Sequence, residues 1–225
     1  MRLAQFPFIK ICCISSIGEA RAAIAAGASA IGLVSAMPSG PGVIEDQQIS
    51  EIAASISPPI STFLLTAFQH ADAIIDQHHH CRTSTIQLVD RVHPREIQQL
   101  RKQLPGIKLV QVIHVTDEGS IEEARTAATM VDVLLLDSGN QELDTKELGG
   151  TGRTHDWKLS RRIRDEIDIP LFLAGGLNAA NIAEAISAVL PYGLDLCSSV
   201  RSNGKLDTTK LQEFIEAVGR STPGT

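Results

Sequence analysis

Short apolar runs rich in β-formers alternate with Ala-rich amphipathic segments along nearly the whole chain, and this alternation constrains the fold more than any other feature. The runs Phe8–Cys12, Ala30–Val34, Ile60–Leu65, Thr85–Leu88, Lys108–His114, Val131–Asp137, Ile169–Ala174 and Leu194–Ser198 read as strands. The stretches near 16–26, 45–56, 70–80, 94–103, 119–128, 156–166, 178–188 and 207–218 read as helices. The hydrophobic period switches between 2 and 3.6, as repeated βα units require. VDVLLLD and IPLFLAG lack polar alternation, the pattern of parallel strands covered on both faces. Eight βα units in 225 residues fit a closed (βα)8 TIM barrel, which takes roughly 200–250 residues. The expectation is one barrel domain over 1–225, with a frayed tail at 219–225.

Composition narrows the function. The formal net charge is −6, and there are only one Trp, one Tyr and six Phe, which argues against nucleic acid or an anionic membrane as partner. No apolar run reaches the roughly 18 residues of a membrane span, and the charged N-terminus does not read as a signal peptide. Four cysteines, two of them adjacent at Cys12-Cys13, do not make a disulfide framework. A reducing, cytoplasmic setting and a small-molecule ligand are expected, with the chain a monomer or homodimer.

In such a barrel, chemistry sits at the C-terminal ends of the strands and in the loops that follow. Three small-residue loops stand out: Gly149-Gly150-Thr151-Gly152 after the sixth strand, Gly175-Gly176 after the seventh and Ser198-Ser199 after the eighth. Glycine lets backbone N–H groups approach an anion, and the last two loops are the recurrent phosphate site of this fold. Each loop read alone is only a tight turn; three converging loops point to phosphate.

Cys12 and Asp137 end the first and sixth strands, where a thiol and a carboxylate can exchange protons with a ligand across the mouth. An inert core cysteine and a carboxylate that caps its own turn are the structural alternatives. A thiolate at neutral pH needs a nearby cation. Lys10 is read as alternating to the other side of the strand. His78-His79-His80-Cys81 ends the third helix, on the opposite face from the site; consecutive helical residues diverge, so a solvated helix end is expected rather than a metal cluster.

Taken together, these loops resemble the phosphoribosylanthranilate isomerases of tryptophan biosynthesis. The matching stretches are Lys10-Ile11-Cys12 with Ile14-Ser15, Ala26-Gly27-Ala28 with Gly32-Leu33-Val34, and Leu135-Leu136-Asp137-Ser138. Further along come Gly149-Gly150-Thr151-Gly152 with Asp156-Trp157, Leu173-Ala174-Gly175-Gly176-Leu177-Asn178, and Pro191-Tyr192-Gly193 with Asp195. The resemblance implies Cys12 as general base, Asp137 as general acid and substrate phosphate at Gly150, Thr151, Gly152, Gly175, Gly176, Ser198 and Ser199. It adds Lys10, Gln87, Asp195 and Arg153 as candidate substrate contacts and implies an Amadori rearrangement of a phosphosugar by acid–base chemistry, with no metal or cofactor.

Three positions depart from the family's pattern. Cys13 replaces the usual glycine, Val89-Asp90 replaces His-Gly after Gln87-Leu88, and Ser35–Val43 has no arginine where the family holds the anthranilate carboxylate. Arg91, Arg153 and Arg201 are candidates to replace it. Two alternatives therefore stay open: an isomerase for a different phosphosugar, and a non-catalytic phosphometabolite-binding barrel.

Overall fold

The computed structural model describes residues 7–139, 148, 152 and 154–221. Eight parallel strands close into a barrel in sequence order: β1 (Phe8–Ile11), β2 (Ala30–Val34), β3 (Ser61–Thr66), β4 (Thr85–Leu88), β5 (Lys108–His114), β6 (Val133–Asp137), β7 (Leu171–Leu173) and β8 (Gly193–Leu196). Closure is by β1 beside β8, with Lys10 opposite Asp195 and Ile11 opposite Leu196. The helices between and after them are α1 (Ile17–Ala25), α2 (Asp46–Ala54), α3 (Ala71–Cys81), α4 (Pro94–Gln103), α5 (Gly119–Ala128), α6 (Trp157–Glu166), α7 (Ile182–Val189) and α8 (Thr208–Ser221). The expected eightfold alternation is the observed one.

Local chemistry fixes the element ends. Ser16 Oγ accepts from Glu19 N at 3.1 Å to start α1, and Asp156 Oδ1 accepts from Lys158 N at 2.8 Å to start α6. Pro94 opens α4, where its missing N–H costs nothing. β7 is shorter than the apolar run around it, because Pro170 has no N–H for the ladder and contributes only its carbonyl, to Leu134 N.

Strand alternation sorts residues into two cores. Ile9, Ile11, Leu33, Leu64, Ile86, Leu134, Leu136 and Leu194 pack outward against the helices. Ala30, Phe63, Val110, Val112, Leu135 and Phe172 fill the barrel itself. Aromatic rings plug one end: Phe8 meets Phe172 edge-on at 5.7 Å and stacks on Tyr192 at 6.1 Å. Gly193 makes room for this plug, since a Cβ there would lie 2.6 Å from the Phe172 ring.

Two features differ from expectation. α8 runs through Ser221, so residues 219–221 extend the helix rather than fray; 222–225 lie outside the described residues. A small hairpin, β9 (Arg201–Ser202) with β10 (Lys205–Leu206), precedes α8. Its turn is Asn203-Gly204, both at positive φ, so the strongest short hairpin signal was present in the sequence. Among the described residues, no helix is long and apolar enough to cross a membrane.

Candidate active site

The inward parity of the strands carries Lys10, Cys12, Gln87, Asp137 and Asp195 toward the barrel axis, because each lies an even number of residues from an interior-packed neighbour on its own element. Cys12, Gln87, Asp137 and Asp195 line one cavity at the C-terminal mouth, together with Gly152, Gly175, Gly176, Ser198 and Ser199. The thiol and carboxylate of Cys12 and Asp137 and the small-residue corner therefore share a single space.

Cys12 follows β1 and is 6% exposed; its N–H donates to Leu196 O at 2.7 Å. Its thiol is held below the ordinary thiol range, first by a hydrogen bond with the Cys13 thiol and then, against the cost of burial, by the Lys10 ammonium. The structure corrects the expectation that Lys10 points to the opposite side of the strand. Residues two apart on a strand share a face. A Cβ on Gly32 would sit 2.9 Å from Cys12 Sγ and 3.1 Å from Lys10 Nζ, so both atoms flank one point.

Lys10 is wholly buried, with Nζ 2.8 Å from Asp195 Oδ2 and 5.3 Å from the centre of the Phe63 ring. Burial works against its charge, yet Asp195 keeps its pKa above the ordinary lysine value. Asp195 is pushed up by burial and by Asp137, with Lys10 opposing. Lys10 thus contacts Asp195 and does not itself line the cavity.

Asp137 ends β6, and its Oδ1 accepts from Ser138 N at 2.7 Å. The capping role and the cavity role coexist, since a carboxylate has lone pairs to spare. Gln87 Oε1 and Asp195 Oδ1 are buried with no hydrogen-bond partner among the described residues. Such acceptors are costly unless a partner arrives, so their place on the cavity wall marks it as a binding surface.

At the other side of the cavity, Gly152, Gly175 and Gly176 have φ of 70°, 79° and 62°, a region that favours glycine. A Cβ on Gly152 would lie 3.6 Å from Ser198 Oγ, so the loops after β6 and β8 meet there. Gly150, Thr151 and Arg153 lie outside the described residues.

Two of the candidate replacement arginines are committed elsewhere. Arg91 is exposed and forks onto Glu123, with Nε–Oε1 and Nη2–Oε2 both at 2.9 Å. Arg201 is buried against Glu19 and donates to main-chain carbonyls. Met37, Ser39, Gly40 and Pro41 form the cavity wall in the loop after β2. Sequence reasoning missed Cys13 and Cys197 as lining residues. The alternation that exposed Lys10 and Asp195 to the interior would have found Cys197, two residues past Asp195.

At the end of α3, His79 and His80 are exposed, but His78 is buried, with Nε2 2.9 Å from Thr83 O. The solvated helix end is corrected to that extent: the αL cap at Arg82 turns the chain back over His78.

The family model for N-(5'-phosphoribosyl)anthranilate (PRA) isomerase matches residues 9–217. A curated isomerase of that name from Methanocella arvoryzae is 34% identical over 211 residues, covering 93% of this chain and 97% of the relative. A second, from Methanosarcina mazei, is 35% identical over 209 residues, covering 92% of each. The crystal structure of phosphoribosyl anthranilate isomerase from Thermotoga maritima superposes with a TM-score of 0.81 at 26% identity, over 95% of this chain and 99% of that one. With the barrel, the shared cavity and these matches in agreement, the chain belongs to the N-(5'-phosphoribosyl)anthranilate isomerase family.

Proposed function

We propose that this protein converts N-(5'-phosphoribosyl)anthranilate to 1-(2-carboxyphenylamino)-1-deoxyribulose 5-phosphate, an Amadori rearrangement in tryptophan biosynthesis. The observation that carries this reading is that Cys12 and Asp137 line the same cavity as the corner of Gly152, Gly175, Gly176, Ser198 and Ser199. That corner holds the substrate phosphate through backbone donors and hydroxyls, and Gly150 and Thr151, outside the described residues, are assigned as further phosphate contacts. The unpartnered acceptors of Gln87 and Asp195 receive donors from the sugar, and Arg153 is a further contact to the substrate.

Asp137 gives its proton to the furanose ring oxygen. The C1–O bond breaks, and the nitrogen lone pair forms the C=N bond of a protonated Schiff base. The Cys12 thiolate removes the proton from C2; those electrons form C1=C2 and return the lone pair to nitrogen. The enolamine then tautomerises to the aminoketose. The depressed thiol pKa fits the base role, because a general base works best when it is deprotonated near the working pH.

The test is turnover of the phosphoribosyl substrate by the wild-type protein and by Cys12→Ser and Asp137→Asn. Each variant is expected to lose most of kcat while retaining phosphate binding. Near-normal kcat in either variant removes that residue from its role.

A second reading, an isomerase for a phosphosugar whose amine bears no carboxylate, is favoured by the arginine-free wall of Met37, Ser39, Gly40 and Pro41. Under either reading the substrate is a small phosphosugar. The four free thiols suit a reducing compartment, which supports a cytoplasmic location for a chain acting as monomer or homodimer.

A further inference from the structure

A buried proton-abstracting thiol faces an electrostatic obstacle: burial disfavours the thiolate. Among the described residues, the charged and titratable groups around Cys12 are few. Lys10 lies two residues earlier on the same inward face, and Cys13 follows in sequence. Asp195 and Cys197 approach from β8 and its end, Asp137 lines the same cavity from β6, and Arg201 Nη2 donates to Cys12 O at 3.1 Å. Of these cations, Arg201 is engaged with carbonyls and Glu19, so Lys10 is the one whose charge is directed toward the sulfur.

We propose that Lys10 is a positioning residue that keeps Cys12 as a thiolate, and that Asp195 holds the Lys10 ammonium charged and in place for that purpose. This deepens the assignment of Cys12 as base and rests on it. A buried lysine without a counter-ion would tend to lose its proton. Asp195 prevents this at 2.8 Å, and the face of Phe63 at 5.3 Å supplies a second favourable contact. The pair also has a direction. Its cationic end flanks the same point above Gly32 as the sulfur, and the Asp195 charge offsets the effect of Lys10 on the thiol only in part. Lys10 does this without touching the cavity, which separates its role from substrate binding.

The experiment reads the thiol directly. Wild-type protein, Lys10→Met and Lys10→Met/Asp195→Asn are alkylated with iodoacetamide between pH 5 and 10, and Cys12 modification is resolved from Cys13 by fragment-ion mass spectrometry. The double variant removes both charges, so no unpaired carboxylate is left to unfold the protein. In both variants the Cys12 alkylation midpoint is expected to rise by a pH unit or more, with roughly a tenfold slower reaction at pH 7. In Lys10→Met, which leaves every cavity-lining residue in place, the rising limb of kcat/KM moves by the same amount while KM for substrate holds. An unchanged midpoint in the folded double variant, with only a lowered Tm, overturns the proposal and leaves Lys10–Asp195 a structural pair. Because alkylation needs no turnover, a shifted midpoint in a protein inactive on the anthranilate substrate would sink the proposed function and leave this inference standing.

Discussion

Arg201 Nη2 donates to the main-chain carbonyl of Cys12 at 3.1 Å and also to that of Cys13, clamping the hairpin before α8 onto the loop after β1. Nη1 of the same guanidinium reaches Gly204 O at 3.0 Å and Glu19 Oε1 at 3.4 Å. A side chain so engaged fixes the backbone that carries the Cys12 thiol rather than a substrate carboxylate. Glu19 is shared by several parts of this junction, accepting from Ser15 N and Leu206 N at 2.9 and 2.8 Å.

Arg201→Gln is therefore expected to lower stability by about 2–3 kcal/mol, at roughly 1 kcal/mol for each lost hydrogen bond. Urea unfolding measures this. In turnover assays kcat should fall more than KM rises, since the thiol loses its placement while Gly175 and Gly176 on the other side of the cavity are untouched. A selective rise in KM with unchanged unfolding would return Arg201 to carboxylate recognition.

Gly32 gives an independent probe of the packing between the Cys12 thiol and the Lys10 ammonium. An alanine methyl there would meet Cys12 Sγ, Cys12 Cα and Lys10 Nζ at 2.9, 3.1 and 3.1 Å. Two of these neighbours are pinned, the Cα by backbone and the ammonium by Asp195. Gly32→Ala should cost about 1–3 kcal/mol through overpacking and remove most activity by displacing the sulfur. Wild-type kcat with wild-type Tm would show that the site yields more easily than this geometry implies.

Recognition of the anthranilate carboxylate is expected to be weak. The Ser35–Val43 loop offers hydroxyls and backbone where the family pattern has arginine, and Arg91 is held by Glu123. Replacing a charge-assisted pair with neutral hydrogen bonds costs on the order of 1–3 kcal/mol, roughly ten- to a hundredfold in affinity. KM should accordingly exceed that of relatives bearing the arginine, Arg91→Ala should leave it unchanged, and Arg153→Ala should raise it only if that side chain supplies the missing contact. A KM as low as theirs, unaltered by both substitutions, refutes this account.

The barrel was legible in the sequence because its signals are local. Period switches, a Ser16 or Asp156 cap and a Pro170 break each act within a few residues. Asp137 and Cys12 were legible for the same reason, as polar endings of apolar runs. What escaped was long-range or misread. The Lys10–Asp195 pair joins residues at opposite ends of the chain, and only barrel closure brings β1 beside β8. Arg201 was read as a candidate ligand because nothing local shows that its guanidinium folds back onto Cys12 and Cys13. Lys10 was misplaced by a slip of parity, although the period of 2 already put it on the face of Cys12.

Below the ordinary histidine value, acid should destabilise the fold through its buried histidines. His78 donates from Nε2 to Thr83 O, and its Nδ1 is buried without a partner, as a neutral ring permits. His155 repeats the arrangement, with Nε2 2.7 Å from Ser160 Oγ and a buried Nδ1. Protonation would place an N–H⁺ where no acceptor waits, so burial holds both pKa values below the ordinary histidine value; the Thr83 carbonyl opposes this at His78, and Asp137 and Asp156 oppose it at His155. A histidine with a depressed folded pKa binds its proton first in the unfolded chain, so its contribution to stability falls as pH drops through about 6.5 and is constant above it. Glu19 and Asp132, whose folded pKa values are also lowered, act in a different window: burial opposes their charge, but backbone donors and arginines outweigh it, and their contribution is lost only below about pH 4.5. Tm measured from pH 8 to 5 should fall gently at first, as the depressed Cys12 thiol loses its contribution below the ordinary thiol range, and more steeply below about 6.5, where the histidines add to the loss. His78→Gln, which keeps a donor for Thr83 O and cannot titrate, should flatten part of that decline. An unchanged slope in the variant would mean that His78 is not among the groups that take up the proton.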